Sequence, residues 1–212
     1  MTDYYKDLWT KPNNHGTIFW RDVDFNKNEY KLQEHIFRQL LKSIKRLNKE
    51  YVPLREISSV LEVGAGTGRM TRIVWDEFPY LADYVVIDIN KENLDKIKNH
   101  LTDRQNMFTC PLVKNILEID YPEVNKFDLV LASEVLMHIK PEDISKVVKT
   151  LTNYLAPKGL IINIDWFFEP NALSGGWCFI HDYHKMYEEN GLTPLFTADM
   201  REIKQKMFCY EK

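Results

Sequence analysis

Apolar positions fall into two regimes along the chain. Leu32, Ile36, Leu40, Ile44 and Leu47 recur at spacings of three and four, with Phe37 and Leu41 beside them. That period predicts an amphipathic helix over 28–50, with Pro53 helping to end it. From Ile57 onward, short apolar runs alternate with helical stretches. ISSVLEV, YVVIDI, MFTCPLV, FDLVLA and LIINI read as strands. GRMTRIVWDEF, Lys91 to Leu101 with Asn90 as its cap, the segment after Pro141, and His181 to Asn190 ended by Gly191 read as helices. Ala156-Pro157-Lys158-Gly159 reads as a turn, and LFTA with KMFCYE as a closing antiparallel pair. Runs such as VVI and LVLA suit strands buried on both faces, so the alternation predicts an α/β, doubly wound, mostly parallel sheet with an antiparallel C-terminal strand. Residues 1–56 read as an N-terminal helical cap on a domain spanning 57–212, the two forming one compact unit.

Composition narrows the partners. Apolar residues make up 44% and charged residues 28% of the 212 positions, with a net charge of −3. No bulk positive field invites nucleic acid, and the cluster Lys42, Lys45, Arg46 and Lys49 reads as a solvated helix face. The three cysteines are far apart and form no CxxC pair, which fits a reducing, cytoplasmic setting and signals no metal. The start MTDYYKDLWTKP has no apolar core of a signal peptide, and no apolar run approaches the roughly 20 residues of a membrane span. Oligomeric state is not legible.

Three glycines, Gly64, Gly66 and Gly68, crowd the turn between the first strand and its helix in LEVGAGTGRM. Glycine there permits positive φ and close main-chain approach to a ligand. The dinucleotide fingerprint GxGxxG would place its third glycine at Arg69; the glycine comes one residue early. Asp88 closes the next strand, where a carboxylate can accept from ribose hydroxyls. VKNILEID follows the third strand, and FDLVLASEVLMHI forms the fourth.

These four motifs, in this order, resemble the class I S-adenosylmethionine-dependent methyltransferases over about residues 57–165. The resemblance implies a Rossmann-like fold with S-adenosylmethionine as cofactor. It implies that Glu62, the main chain of Gly64, Ala65, Gly66 and Gly68, and Ser133 frame that cofactor. Asp88 would hold its ribose, and Ile89 and Ile116 would flank its adenine. The family has an Asp where this chain has Asn115, a departure that keeps an acceptor for the adenine amino group. GTGRMT also resembles the GxGRxT form of some protein N-terminal methyltransferases, in which the Arg pairs with the cofactor's carboxylate; here that is Arg69. An exposed Arg on a first helical turn is the bland alternative.

Methyl transfer from a sulfonium needs alignment above all, and a base only where the acceptor arrives protonated. Candidate bases are His138 past the fourth motif, Asp165 at the end of LIINI, and His181 and His184 in the run HDYH, where Asp182 reads as a helix cap. Adjacent helical residues point apart, so HDYH makes a poor metal site. Trp166, Phe167 and Trp177, with Trp20, Glu134 and Tyr183, suggest an aromatic-walled acceptor pocket under a lid loop, against the commoner alternative of core packing. The leading reading is a methyltransferase acting on N or O of a small molecule. A protein or peptide acceptor, a non-catalytic cofactor-binding protein, and an NAD-linked oxidoreductase stand behind it, the last disfavoured by Arg69.

Overall fold

The helical period at the start of the chain does form a helix, α1 (Asn28–Glu50), with Phe37, Leu40, Leu41 and Ile44 buried along one face. The computed structural model describes residue 10 and residues 28–50, 56–119, 126–166 and 178–212. The alternating part runs β1 (Ser59–Val63), α2 (Arg69–Glu77), β2 (Asp83–Asp88), α3 (Lys91–His100), α4 (Asp103–Met107), β3 (Thr109–Val113) and β4 (Phe127–Ser133). It continues with α5 (Pro141–Tyr154), β5 (Leu155–Trp166), α6 (Tyr183–Glu189), β6 (Thr193–Met200) and β7 (Gln205–Glu211). The strands form one seven-stranded sheet in the order β3-β2-β1-β4-β5-β7-β6. Neighbours from β3 to β5 pair in parallel, and β7 runs antiparallel between β5 and β6. The expected doubly wound sheet with an antiparallel C-terminal strand is therefore present.

Side chains alternate across each strand, and the sheet has a core on each face. On one, Val60, Tyr84, Val86, Leu129 and Ile162 meet α1, α2 and α3 through Leu41, Ile73, Trp75 and Ile97. On the other, Leu61, Val85, Val130 and Ile161 meet α5 and α6 through Val147, Leu151, Tyr183 and Tyr187. Each fully buried aliphatic side chain stabilises the fold by about 1.5–3 kcal/mol. Helix α1 belongs to the first core, and Lys42, Lys45 and Arg46 are exposed on its outer face, from which Lys45 also donates to Glu77 Oε2 at 3.2 Å and to the Glu77 carbonyl at 2.7 Å.

Caps set the helix ends. Asn90 accepts from the Glu92 amide at 2.9 Å, as expected. Asp182 accepts from the Lys185 amide, so α6 starts at Tyr183 and both His181 and Asp182 precede it. Gly191, at φ 77°, follows its end. Two elements differ from expectation. Ala156 to Gly159 is no free turn; it bulges within β5, because Leu155 pairs with Phe127 and Leu160 with Leu129, and Lys158 takes φ 63°. Helix α4 is additional to the expected elements, and Thr102 and Gln105 form a reciprocal capping box at its start.

Because β1 lies between β2 and β4, the chain reverses direction across the sheet there. The carboxyl ends of β1, β2 and β4 are level, Val63 standing opposite Ile87 and Ala132. A ligand crevice belongs at this switch point.

Candidate functional site

An open cleft of about 670 Å³ occupies that place. The turn after β1 forms its floor. Gly64, Gly66 and Gly68 all take positive φ, at 65°, 54° and 88°, a region that costs an L-residue about 1–2 kcal/mol. A Cβ on Gly64 would sit 2.5 Å from Val135 Cγ2, so the chain passes there only as glycine. A Cβ on Gly66 would meet no atom within 4 Å, so its bare main chain faces open space on the cleft wall.

Asp88, at the end of β2, ties this turn in place. Its Oδ2 accepts from the Gly66 amide and its Oδ1 from the Asn90 amide, both at 2.8 Å. Burial pushes its carboxyl above the usual carboxylate range, against the pull of those two amides. A carboxylate offers about four lone-pair sites, so Asp88 can hold the turn and still accept from a ligand. Ile89, Asn115 and Ile116 form the far wall. Asn115 turns its Oδ1 to the Leu117 amide at 3.0 Å, which fixes the side chain at the cleft edge.

The near wall follows β4. Glu134 holds φ 55° and donates its amide to the Ile164 carbonyl at 2.7 Å. Its carboxylate accepts from Arg69 Nη2 at 3.0 Å and from Gln205 Nε2 at 2.6 Å. Val135, His138 and Ile139 continue this wall.

The structure thus brings together on the cleft eight residues singled out from sequence: Gly64, Gly66, Asp88, Ile89, Asn115, Ile116, Glu134 and His138. Ala65, Gly68, Arg69 and Ser133 adjoin it without lining it. Glu62 faces away: its Oε2 accepts from Tyr84 at 2.6 Å and Thr71 at 2.7 Å within the core. Ile87, Asn93, Lys114, Val135 and Ile139 also line the cleft and were not read from sequence. Asn93 alone carried a signal, since it sits on the first turn of the helix that follows Asp88.

Burial raises the Glu62 carboxyl from 4.5 to about 7, outweighing the Tyr84 and Thr71 hydrogen bonds and the Arg69 charge. The folded state therefore binds this proton more tightly than the unfolded chain does. Its contribution is intact below about pH 4.5, and stability falls as pH rises through about 7. The loss is of the order of 3 kcal/mol. Urea melts at pH 5 and pH 7.5 should show this drop in the native chain and not in Glu62→Gln; equal drops would mean that Glu62 titrates normally.

Of the four candidate bases, His138 alone lines the cleft; its Nδ1 lies 3.4 Å from Cys178 Sγ. Burial pushes the Cys178 thiol up to about 12, with Asp165 adding to the rise, so it stays protonated. His181 is buried behind this wall, its Nε2 2.9 Å from the Ile139 carbonyl, and burial lowers its pKa. His184 bonds the Tyr210 hydroxyl through Nδ1 and lies edge-on to Phe208. Asp165 is fully buried. Burial drives its carboxyl well above the usual range, and the nearby Met137 main chain and Tyr183 hydroxyl only partly offset this. Neither its oxygens nor the Tyr183 hydroxyl makes a well-formed hydrogen bond. Trp166 ends β5 beside this group. Trp20, Phe167 and Trp177 lie outside the described residues. Among the described residues, no group of three or more His, Cys, Asp or Glu is placed to hold a metal ion, and no helix is long and apolar enough to cross a membrane.

Residues 61–161 match the Methyltransferase domain family. The chain is 29% identical over 110 residues to an uncharacterized methyltransferase of Staphylococcus carnosus (strain TM300), covering 52% of this chain and 48% of that protein. It is 28% identical over 106 residues to N-terminal Xaa-Pro-Lys N-methyltransferase 1 of Xenopus tropicalis, covering 48% and 44%. The chain thus spans less than half the length of either relative. Its fold superposes on magnesium protoporphyrin IX methyltransferase from Synechocystis PCC 6803, solved with bound S-adenosylhomocysteine, with a TM-score of 0.68 at 15% identity over the whole of both chains.

Proposed function

We propose, from the match of residues 61–161 to the Methyltransferase domain family, that the chain is a class I S-adenosylmethionine-dependent methyltransferase and transfers a methyl group from S-adenosylmethionine to a nitrogen or oxygen of a small molecule. The observation that carries this reading is the bare Gly66 main chain beside the Asp88 carboxylate on one cleft wall. That pairing fits a nucleoside: main chain approaches it with no side chain between, and a carboxylate meets its sugar. The residues present suit the cofactor in other respects. Ile89 and Ile116 supply apolar faces for a base, and Asn115 stands beside them with a hydrogen-bonding amide.

When bound, S-adenosylmethionine would supply a methyl group already activated on a positive sulfur. The chain's own residues then bind, orient and move a proton. Gly64 to Gly68 and Asp88 hold the nucleoside end, and Glu134 and Ser133 stand at the end of β4, where the acceptor side begins. His138, on the cleft wall with Nδ1 3.4 Å from the Cys178 sulfur, takes the acceptor's proton. His138→Gln should lower kcat by about 10²-fold while the Kd for S-adenosylhomocysteine stays within about twofold. An unchanged kcat would assign His138 to packing.

The acceptor pocket would lie beyond Trp166; Tyr183, expected on its aromatic wall, is fully buried in the core, packed on Tyr187 and Phe208, and does not line it. A peptide acceptor is the second reading, supported by the 28% identity to an N-terminal N-methyltransferase and by the GTGRMT turn. Transfer of labelled methyl into a metabolite extract, a proteome and total RNA, run in parallel, separates these readings. Label confined to the metabolite fraction is expected. Label in the proteome alone would favour the peptide acceptor, and binding of the cofactor with no transfer to any fraction would contradict catalysis.

A further inference from the structure

Glu134 is the strained residue of the cleft. It holds φ 55° without being a glycine, a strained conformation that persists only where its surroundings fix it. Part of what fixes it comes from far along the chain. Gln205, the first residue of β7, donates Nε2 to Glu134 Oε1 at 2.6 Å. Gln33 of α1, fully buried, donates its own Nε2 to Gln205 Oε1 at 2.7 Å. On the other carboxylate oxygen sits Arg69, whose guanidinium also lies 5.2 Å from the ring centre of Tyr30, one turn before Gln33 on α1. Both oxygens of Glu134 are thus held, one through Arg69 and one through Gln205, and both routes lead back to the same helix.

We infer that Gln33 and Gln205 are positioning residues for the ligand cleft, acting in series to hold the Glu134 carboxylate on its wall, so that α1 and β7 complete a site whose lining lies within residues 64–139. This rests on the reading of the cleft as the S-adenosylmethionine site. Two neutral amides linked in a line onto a buried anion form a directional chain, since each amide can donate at one end only while accepting at the other. The chain predicts an order of effects. Gln205 touches Glu134 directly, whereas Gln33 acts only by orienting Gln205.

The test uses substitutions of matched volume that remove the donor: Gln205→Met, Gln33→Met and the pair, with Gln33→Asn, too short to reach Gln205, if the methionine variants fold poorly. Calorimetry with S-adenosylhomocysteine and with S-adenosylmethionine gives the Kd of each, and melting temperature is followed alongside. Gln205→Met should raise both Kd values about tenfold and Gln33→Met about threefold, as expected for one and for part of one buried charge-assisted hydrogen bond. On the Gln205→Met background, Gln33→Met should add nothing, because its effect passes through Gln205. A fall in melting temperature with both Kd values unchanged would overturn the inference, as would independent, additive losses of affinity. If the unaltered chain binds neither ligand, the cofactor reading itself fails; if it binds and the variants bind equally, only this inference fails.

Discussion

Gly64→Ala should abolish measurable binding of S-adenosylmethionine, the largest effect expected of any single methyl group added to this chain. Two costs coincide at that position. The backbone stands at φ 65°, where an L-residue is strained by about 1–2 kcal/mol. The new Cβ would also lie 2.5 Å from Val135 Cγ2 and 2.6 Å from Val135 Cβ, so Val135 must move. It has little room, because Glu134 before it is already held at φ 55° and the 3₁₀ turn Leu136–His138 follows. Val135 lines the cleft, so any displacement changes the wall that meets the ligand. Overpacking of this kind adds about 1–3 kcal/mol, giving a total loss of stability of about 2–5 kcal/mol and a Kd raised more than about 100-fold, equivalent to about 2.7 kcal/mol. Gly66→Ala is the informative contrast. Its Cβ would meet nothing within 4 Å, so the fold should lose only about 1–2 kcal/mol of backbone strain while a methyl group projects toward the ligand. Thermal melts and calorimetry on both variants check this. Wild-type affinity in Gly64→Ala would mean that the ligand does not use this turn.

Asp88→Ala should come next, raising the Kd for the cofactor by about 10–100-fold. The carboxylate serves two ends. It holds the Gly66 and Asn90 amides at 2.8 Å each, and in the proposed complex it accepts from the ribose hydroxyls. Removing it leaves two main-chain donors without their acceptor at a position only 8% exposed, at about 1–3 kcal/mol for such a group. It also releases the glycine turn that forms the cleft floor. Asp88→Asn separates the two roles. An amide oxygen can still accept from one main-chain N–H, but the amide has lost the charge and half the acceptor capacity. Most of the affinity should therefore be lost in Asn as in Ala, with a smaller fall in melting temperature. Equal affinity of Asp88→Ala and the native chain would remove the ribose assignment and leave Asp88 as a brace for the turn.

What the sequence disclosed and what it concealed divide along a physical line. Strands such as YVVIDI and FDLVLA are buried on both faces, so their apolar runs are continuous and visible without knowledge of partners. The glycine turn was legible because positive φ selects residue type locally. The same holds for the caps Asn90 and Asp182. The bulge in β5 was not legible, since Ala156 to Gly159 has turn-like composition and only pairing with β4 draws it into the strand. Nor was the burial of Asp165 and His181, which depends on α6 and the Leu136–His138 turn packing over them. Least legible of all was the line from Gln33 through Gln205 to Glu134. It joins residues 172 positions apart by hydrogen bonds, and no periodicity or spacing encodes such a contact. The cleft residues that local chemistry marks are legible, whereas Val135 and Ile139, apolar side chains on the wall after β4 that read equally as core, are not.

The most direct measurement is a calorimetric titration of the unaltered chain with S-adenosylmethionine, repeated with NAD. Saturable binding of one S-adenosylmethionine per chain, competed by S-adenosylhomocysteine and absent with NAD, is the expected result. Saturable binding of NAD with no heat from the sulfonium nucleoside would contradict it.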